Sequence, residues 1–217
     1  MRVVILGTGT DVGKTYVTAA IARGLARRAP VLALKPIESG VEPDLTGDAG
    51  AIARAAGHAP ALSPWRFRRP VSPHLAARET GVTLSTRDVA AWVAEQERLA
   101  PANTTLVELA GGALSPLAPG VTNLDLAREL APALWLLVAP DALGVLHDVT
   151  TTLRALPRRP DALVLSCSRP ADQSTGTNAA ELEHLGISPV LEVIPPRAEA
   201  PLTVAWLAST PLLSPAR

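Results

Sequence analysis

Six short, nearly continuous apolar runs punctuate the chain: Arg2–Leu6, Val31–Leu34, Thr105–Leu109, Leu134–Val138, Ala162–Leu165 and Val190–Ile194. A strand with one wet face alternates apolar and polar residues; a strand without that alternation must be covered on both faces. Between the runs lie longer Ala-, Leu- and Arg-rich stretches with helical spacing: Lys14–Arg28, Asp48–Ala56, Ser85–Arg98, Leu124–Leu130, Leu143–Leu156 and Asn178–Leu185. Thr86-Arg87-Asp88 marks a helix start. Strands alternating with helices predict an α/β fold, a mostly parallel sheet with helices on both faces. A chain of 217 residues, 47% hydrophobic, suits one such domain over residues 1–217. The proline-rich stretch Pro60–Pro73 is too long for an ordinary connection, so it is either functional or mobile. Pro195-Pro196 and the tail beyond are expected to pack over the sheet edge.

The charge balance narrows the partners. Lysine and arginine total 20, aspartate and glutamate 20, which argues against a nucleic-acid partner. The lone cysteine, Cys167, excludes an intramolecular disulfide and fits a reducing compartment. The longest apolar stretch, Leu130 to Leu146, is broken by Pro132, Pro140 and Asp141, so no membrane span is expected. A strand begins almost at Met1, leaving no room for a signal peptide, and the cytoplasm is the expected location.

The first run leads into Gly7-Thr8-Gly9-Thr10-Asp11-Val12-Gly13-Lys14-Thr15. A strand, a glycine-rich turn and Gly-Lys-Thr opening a helix form a phosphate cradle. The glycines let successive N–H groups face the oxygens, and the helix N-terminus adds partial positive charge. Lys14 is expected to reach the β- and γ-phosphates of a nucleotide, and the Thr15 hydroxyl to ligate Mg²⁺. This makes the domain P-loop NTPase-like.

Only two lysines, Lys14 and Lys35, stand against eighteen arginines. Each follows a predicted strand. A lysine retained under such a bias points to a task for a compact ammonium on a flexible stem. Lys35 opens Lys35-Pro36-Ile37-Glu38-Ser39-Gly40 after Val31–Leu34, so its ammonium is expected near Lys14. Two close cations suit a reaction that gathers negative charge on neighbouring groups. Ser39-Gly40 offers a hydroxyl and a backbone N–H to a substrate oxyanion. Glu108 ends the Thr105–Val107 strand, at the carboxyl edge where open α/β sheets bind ligands. Asp48, opening a helix, can join it. Two carboxylates, Thr15 and phosphate oxygens make a hard, oxygen-only site suited to Mg²⁺. Asp48 also reads as an ordinary helix N-cap. His74 reads as part of a loop wall rather than a catalyst, and Cys167 as a buried strand-end residue.

Several blocks, in order, resemble the dethiobiotin synthetase family. Residues 7–15 resemble its extended phosphate loop, Lys35–Gly40 its Lys-Pro-x-x-[Ser/Thr]-Gly segment, and Ser72-Pro73-His74-Leu75-Ala76 its Ser-Pro-His-x-Ala block. Val107-Glu108-Leu109-Ala110-Gly111-Gly112 resembles its Val-Glu-Gly-Ala-Gly-Gly. Leu143-Gly144-Val145-Leu146 resembles a Leu-Gly-x-[Ile/Leu] helix start. Together they span roughly the first two-thirds of the chain. The resemblance implies an enzyme that uses ATP, Mg²⁺ and CO₂ to close a ureido ring on 7,8-diaminopelargonic acid. A substrate carbamate, held by Lys35, Ser39 and Thr10, would attack the γ-phosphoryl group to give a carbamic–phosphoric anhydride. The second amine would then close the ring. Thr15, Asp48 and Glu108 would hold the metal. The family is homodimeric, and the partner subunit binds the substrate carboxylate at the helix start matched by Leu143, Gly144 and Leu146.

The chain departs from the pattern at several positions. Gly9 replaces an aspartate, and Leu109 replaces a glycine, adding bulk beside the metal carboxylate. His147 and Asp148 stand where asparagine and histidine are usual, and an aspartate there would repel a carboxylate. Ser166 falls where an adenine-reading asparagine often ends the fifth strand. Asn178 falls where a substrate-contacting residue from the second subunit can sit. Other readings are a cobyrinate amide synthase-like ligase, for which 217 residues leave no space for a glutaminase domain, and a partition-type ATPase switch. The switch requires an early lysine that residues 7–13 lack. A nucleotide kinase would need an arginine-rich lid, for which Trp65–Arg69 is a faint candidate.

Overall fold

The computed structural model describes residues 1–42 and 45–210. In chain order the elements are β1 (Arg2–Gly7), α1 (Lys14–Ala26), β2 (Val31–Leu34), β3 (Ile37–Ser39), α2 (Gly47–Ala56), β4 (Trp65–Phe67), α3 (Pro73–Thr80), α4 (Thr86–Leu99), β5 (Thr104–Glu108), β6 (Pro116–Ala118), β7 (Val121–Thr122), α5 (Asn123–Glu129), β8 (Leu134–Pro140), α6 (Val145–Ala155), β9 (Ala162–Ser166), α7 (Asn178–His184), β10 (Glu192–Ile194) and α8 (Pro201–Ser209).

Six strands form one sheet in the order β10-β9-β8-β1-β5-β2, and every pairing is parallel. β1 explains the architecture in miniature. Val3 and Ile5 point to one face, among Val17 and Ile21 of α1, Ile52 of α2 and Leu207 of α8. Val4 and Leu6 point to the other, among Val89 and Val93 of α4, Leu126 of α5 and Val149 of α6. All four are 0% exposed, and burying such a side chain is worth about 1.5–3 kcal/mol. A strand dry on both faces cannot alternate, which is why the sequence shows runs. β1 pairs with β5 on one side and β8 on the other. Chain order therefore departs in both directions from β1, the kind of switch point that opens a crevice beyond the strands' carboxyl ends.

Local chemistry sets several helix ends. Ser85 Oγ accepts the Asp88 N–H at 3.3 Å, starting α4 beside the expected signal. Thr122 and Asp125 form a reciprocal capping box on α5. The tail after Pro195-Pro196 forms α8. The edge strand β10 holds it there, because Glu192 accepts the N–H groups of Leu202 and Thr203 at 3.2 and 2.9 Å.

The stretch Pro60–Pro73 is ordered by pairing. It contains β4, which runs parallel to β3 and places Trp65 beside Ile37 and Phe67 beside Ser39. Its end, Pro70 to Pro73, walls the main cavity. No helix among the described residues is long and apolar enough to cross a membrane.

Candidate active site

The carboxyl ends of β1, β2 and β5 open onto a cavity of about 650 Å³. Thr10, Asp11, Gly13, Lys14 and Thr15 of the glycine loop line it, as do Lys35, Ser39, Asp48 and Glu108. Gly7, Thr8, Gly9 and Val12 are not among the lining residues. Val12 is buried, and a Cβ on Gly7 would lie 3.0 Å from Lys14 Nζ.

The loop is tied down on all sides. The Thr8 N–H donates to Val138 O at 3.0 Å, and Gly7 O accepts the Ala113 N–H at 2.8 Å. Gly13 has φ +88°, and a Cβ there would lie 2.0 Å from Ser166 Oγ, so only glycine fits. Outside the loop, Arg169 Nε donates to Asp11 O at 3.1 Å.

The charged groups meet at Glu108, which is 0% exposed. Its Oε1 accepts the Thr15 hydroxyl at 2.7 Å and lies 3.0 Å from Lys35 Nζ. Lys35 also donates to Asp48 Oδ2. The second Glu108 oxygen, Oε2, is buried with no hydrogen-bond partner among the described residues. A buried carboxylate oxygen left open beside a hydroxyl and a second carboxylate fits a hard divalent cation that completes its shell with phosphate oxygens and water. Among the described residues no group of three or more His, Cys, Asp or Glu could hold a metal. The fit is thus to a cation bound together with its phosphate, as Mg²⁺ usually is.

The two ammonium groups are in opposite electrostatic states. Burial pulls Lys14 down to about 8; Lys35 pushes the same way, and Glu108 only partly offsets them. Lys14 Nζ donates to Gly9 O at 2.9 Å. Lys35 also loses by burial, but Glu108 and Asp48 outweigh that loss and raise it above the usual lysine value. Burial opposes the ionised form of Asp48, yet Lys35 prevails and lowers its carboxyl below the ordinary range.

Several expected contacts are redirected. Ser166 is fully buried at the end of β9, where its Oγ accepts the Ser168 N–H at 3.2 Å and backs Gly13. It supports the loop instead of facing a base, and Ser168 lines the cavity in its place. The Gly40 N–H donates to Arg69 O at 3.1 Å and is not free for an oxyanion. Ser39 Oγ, in contrast, is buried in the cavity wall with no partner among the described residues. Leu143, Gly144 and Leu146 do not line the cavity. The Leu143 N–H is taken by Asp172 Oδ2 at 2.8 Å, its side chain is 83% exposed, and Leu146 packs partly on the core. Leu109 turns into the core, so it adds no bulk at the carboxylate. Asn178 is buried, and its side-chain amide donates to Asp141 Oδ1 at 2.7 Å. His74 bonds to Ser72 and shapes the loop wall.

Sequence reasoning passed over Glu38, Arg66 and Asn123. Asn123, 0% exposed, donates to Ala110 O and to Gly112 O, the latter at 2.9 Å, and so holds the loop after Glu108. Glu38 lies between Ile37 and Ser39 in the three-residue β3, where nothing in the local sequence marks it.

A family model described as an AAA domain matches residues 1–200. The chain is 40% identical over 166 residues to the ATP-dependent dethiobiotin synthetase of Methylobacterium nodulans, covering 70% of this chain and 73% of that one. It is 38% identical over 206 residues to that of a Caulobacter species, covering 90% and 88%. Among solved structures, a ParA family ATPase from Chlorobium tepidum superposes with a TM-score of 0.53 at 13% identity, over 89% of this chain and 83% of that one. That likeness concerns the P-loop fold alone. With that identity to the two synthetases over most of both chains, and with the family model matched across residues 1–200, the chain belongs to the ATP-dependent dethiobiotin synthetase family.

Proposed function

We propose that this chain is an ATP-dependent dethiobiotin synthetase that closes a ureido ring on 7,8-diaminopelargonic acid with CO₂. The observation that carries the reading is the meeting of Lys14, Lys35, Glu108 and Asp48 in one cavity at the sheet's carboxyl edge. One substrate amine takes up CO₂ and loses a proton to become a carbamate. A carbamate oxygen bonds to the γ-phosphorus as the bond to the bridging oxygen breaks, releasing ADP. The second amine then attacks the carbamoyl carbon, phosphate leaves and the ring closes. A carbamate is already anionic, so the phosphoryl step asks the protein for positioning and charge neutralisation, not for a general base.

Residues 7–15 would wrap the phosphates, with Lys14 reaching the β- and γ-groups. Lys35, Ser39 and Thr10 would hold the carbamate; the Ser39 hydroxyl, unpartnered among the described residues, supports this placement. Thr15, Asp48 and Glu108 would hold Mg²⁺. When bound, it neutralises charge on the phosphate oxygens. The reading includes a homodimer, supported by the exposed Leu143 side chain, and a cytoplasmic location, supported by the lone cysteine.

The test is phosphate release from ATP with diaminopelargonic acid, with and without added bicarbonate in CO₂-depleted buffer. Release is expected to require both the diamine and bicarbonate. Release that needs the diamine but ignores bicarbonate would overturn carbamate chemistry.

A further inference from the structure

We propose that Glu38 is a positioning residue that aims Asp48 at the metal site. The proposal rests on the assignment of Asp48 to the metal made above.

Asp48 is the second residue of α2, and the N–H groups of a helix's first turn have no partner inside the helix. Normally the residue before the helix caps them. Here Thr46 holds that place and makes no side-chain cap. Its hydroxyl instead accepts from Arg54 at 3.5 Å. The cap comes from a different element. Glu38 Oε1, on β3, accepts the Asp48 N–H at 2.6 Å and the Ala49 N–H at 3.1 Å. Its Oε2 faces Arg66 Nε of β4 at 3.3 Å, and Glu38 is 3% exposed. Arg66 also donates to Leu45 O, just before α2.

Gly47 clears the way. It has φ +57°, and a Cβ on it would lie 2.6 Å from Glu38 Oε1. A carboxylate at a helix N-terminus is also favoured by the helix dipole. The backbone amide of Asp48 is therefore held by a buried, charge-paired group on the strand that follows Lys35. Asp48's carboxylate faces Lys35 and the cavity. One strand and one helix turn thus set Asp48, Lys35 and Ser39 at a common spacing.

The experiment measures binding of a non-hydrolysable ATP analogue by calorimetry, once with excess Mg²⁺ and once with EDTA. The ratio of the two affinities is the enhancement due to metal. In Glu38→Ala the ratio is expected to fall about tenfold or more, with the EDTA value unchanged. Glu38→Gln keeps an acceptor oxygen for the two amides and is expected to retain most of the ratio, even where its melting temperature falls. Asp48→Asn is the control. If it abolishes the enhancement and Glu38→Ala does not alter it, Glu38 is only structural and the proposal fails. If Asp48→Asn itself leaves the enhancement intact, the metal assignment fails and takes the proposal with it. Should Glu38→Ala not fold, Gly47→Ala displaces the same carboxylate and is expected to lower the ratio in the same way; an unchanged ratio there overturns the proposal.

Discussion

Burial weakens the charge on Lys14 before any phosphate arrives. With its value drawn down to about 8, the free protein above that pH holds a neutral amine where the ligand needs an ammonium. Nucleotide binding there must take up a proton. Affinity is expected to be level below pH 8 and to fall by up to about tenfold per pH unit above it. Calorimetry in buffers of unlike ionisation enthalpy should show proton uptake above pH 8 and none well below it. The same shift has a stability side. Between 8 and the ordinary 10.5 the unfolded chain binds the proton more tightly, so stability contributed by this group rises with pH across that window. Below it the buried ammonium is a cost. Lys14→Met is accordingly expected to be more stable in urea at pH 7, by about 2–3 kcal/mol, while losing nucleotide binding. Lys35→Ala should act differently. We expect kcat to fall by about 10²–10³, while nucleotide affinity in a direct titration is largely spared. Equal loss of affinity in the two lysine variants would show that their tasks are not divided. Lys14, Thr15, Lys35, Asp48 and Glu108 were legible in the sequence because each combines a chemical type with a place at the end of a strand or the start of a helix. Glu38 was not, since its partners are backbone amides ten and eleven residues away. The local contacts of Ser166, Gly40 and Leu143 were not legible for a related reason. Their polar atoms are claimed by Ser168, Arg69 and Asp172, neighbours that only folding supplies.

Among the elements, the contact of α1 with α8 shows how closely the helical layer is packed. A Cβ on Gly24 would lie 2.6 Å from Val204 Cγ2. Gly24→Ala gains helix propensity of about 1 kcal/mol but overpacks the interface, at a cost of about 1–3 kcal/mol. The single variant is expected to be destabilised. In a Val204→Ala background the same change should become neutral or stabilising, and a double-mutant cycle by chemical denaturation measures the coupling. A coupling near zero would mean that the helices do not meet there. The six helical stretches were readable from spacing because each spans about two turns or more, and the six sheet strands because their apolar runs are nearly continuous. β3, β4, β6 and β7, at two or three residues each, are too short for any period to register. Their pairing, not their composition, defines them, and so the wall of the cavity formed by Pro70 to Pro73 was marked in the sequence only by the length of its loop and by the Ser72-Pro73-His74 block.

For the molecule as a whole, the proposed dimer gives a measurable expectation. Leu143 projects from the loop before α6 and is 83% exposed, a poor position for leucine unless something covers it. Leu143→Arg is expected to yield monomers in sedimentation equilibrium with nucleotide binding intact; a variant that still sediments as a dimer removes this side chain from the contact. Lys35 also acts at the scale of the whole chain, by bridging the end of β2 to the start of α2 and the end of β5. The chain uses arginine for nearly every other positive charge. A guanidinium at residue 35 would grip both carboxylates with a rigid fork. Such a clasp resists exchange, whereas a single ammonium can hand its acidic neighbours to an arriving ion and turn on its stem toward a new anion. The rarity of lysine elsewhere makes that preference for a releasable tether plain in the composition itself.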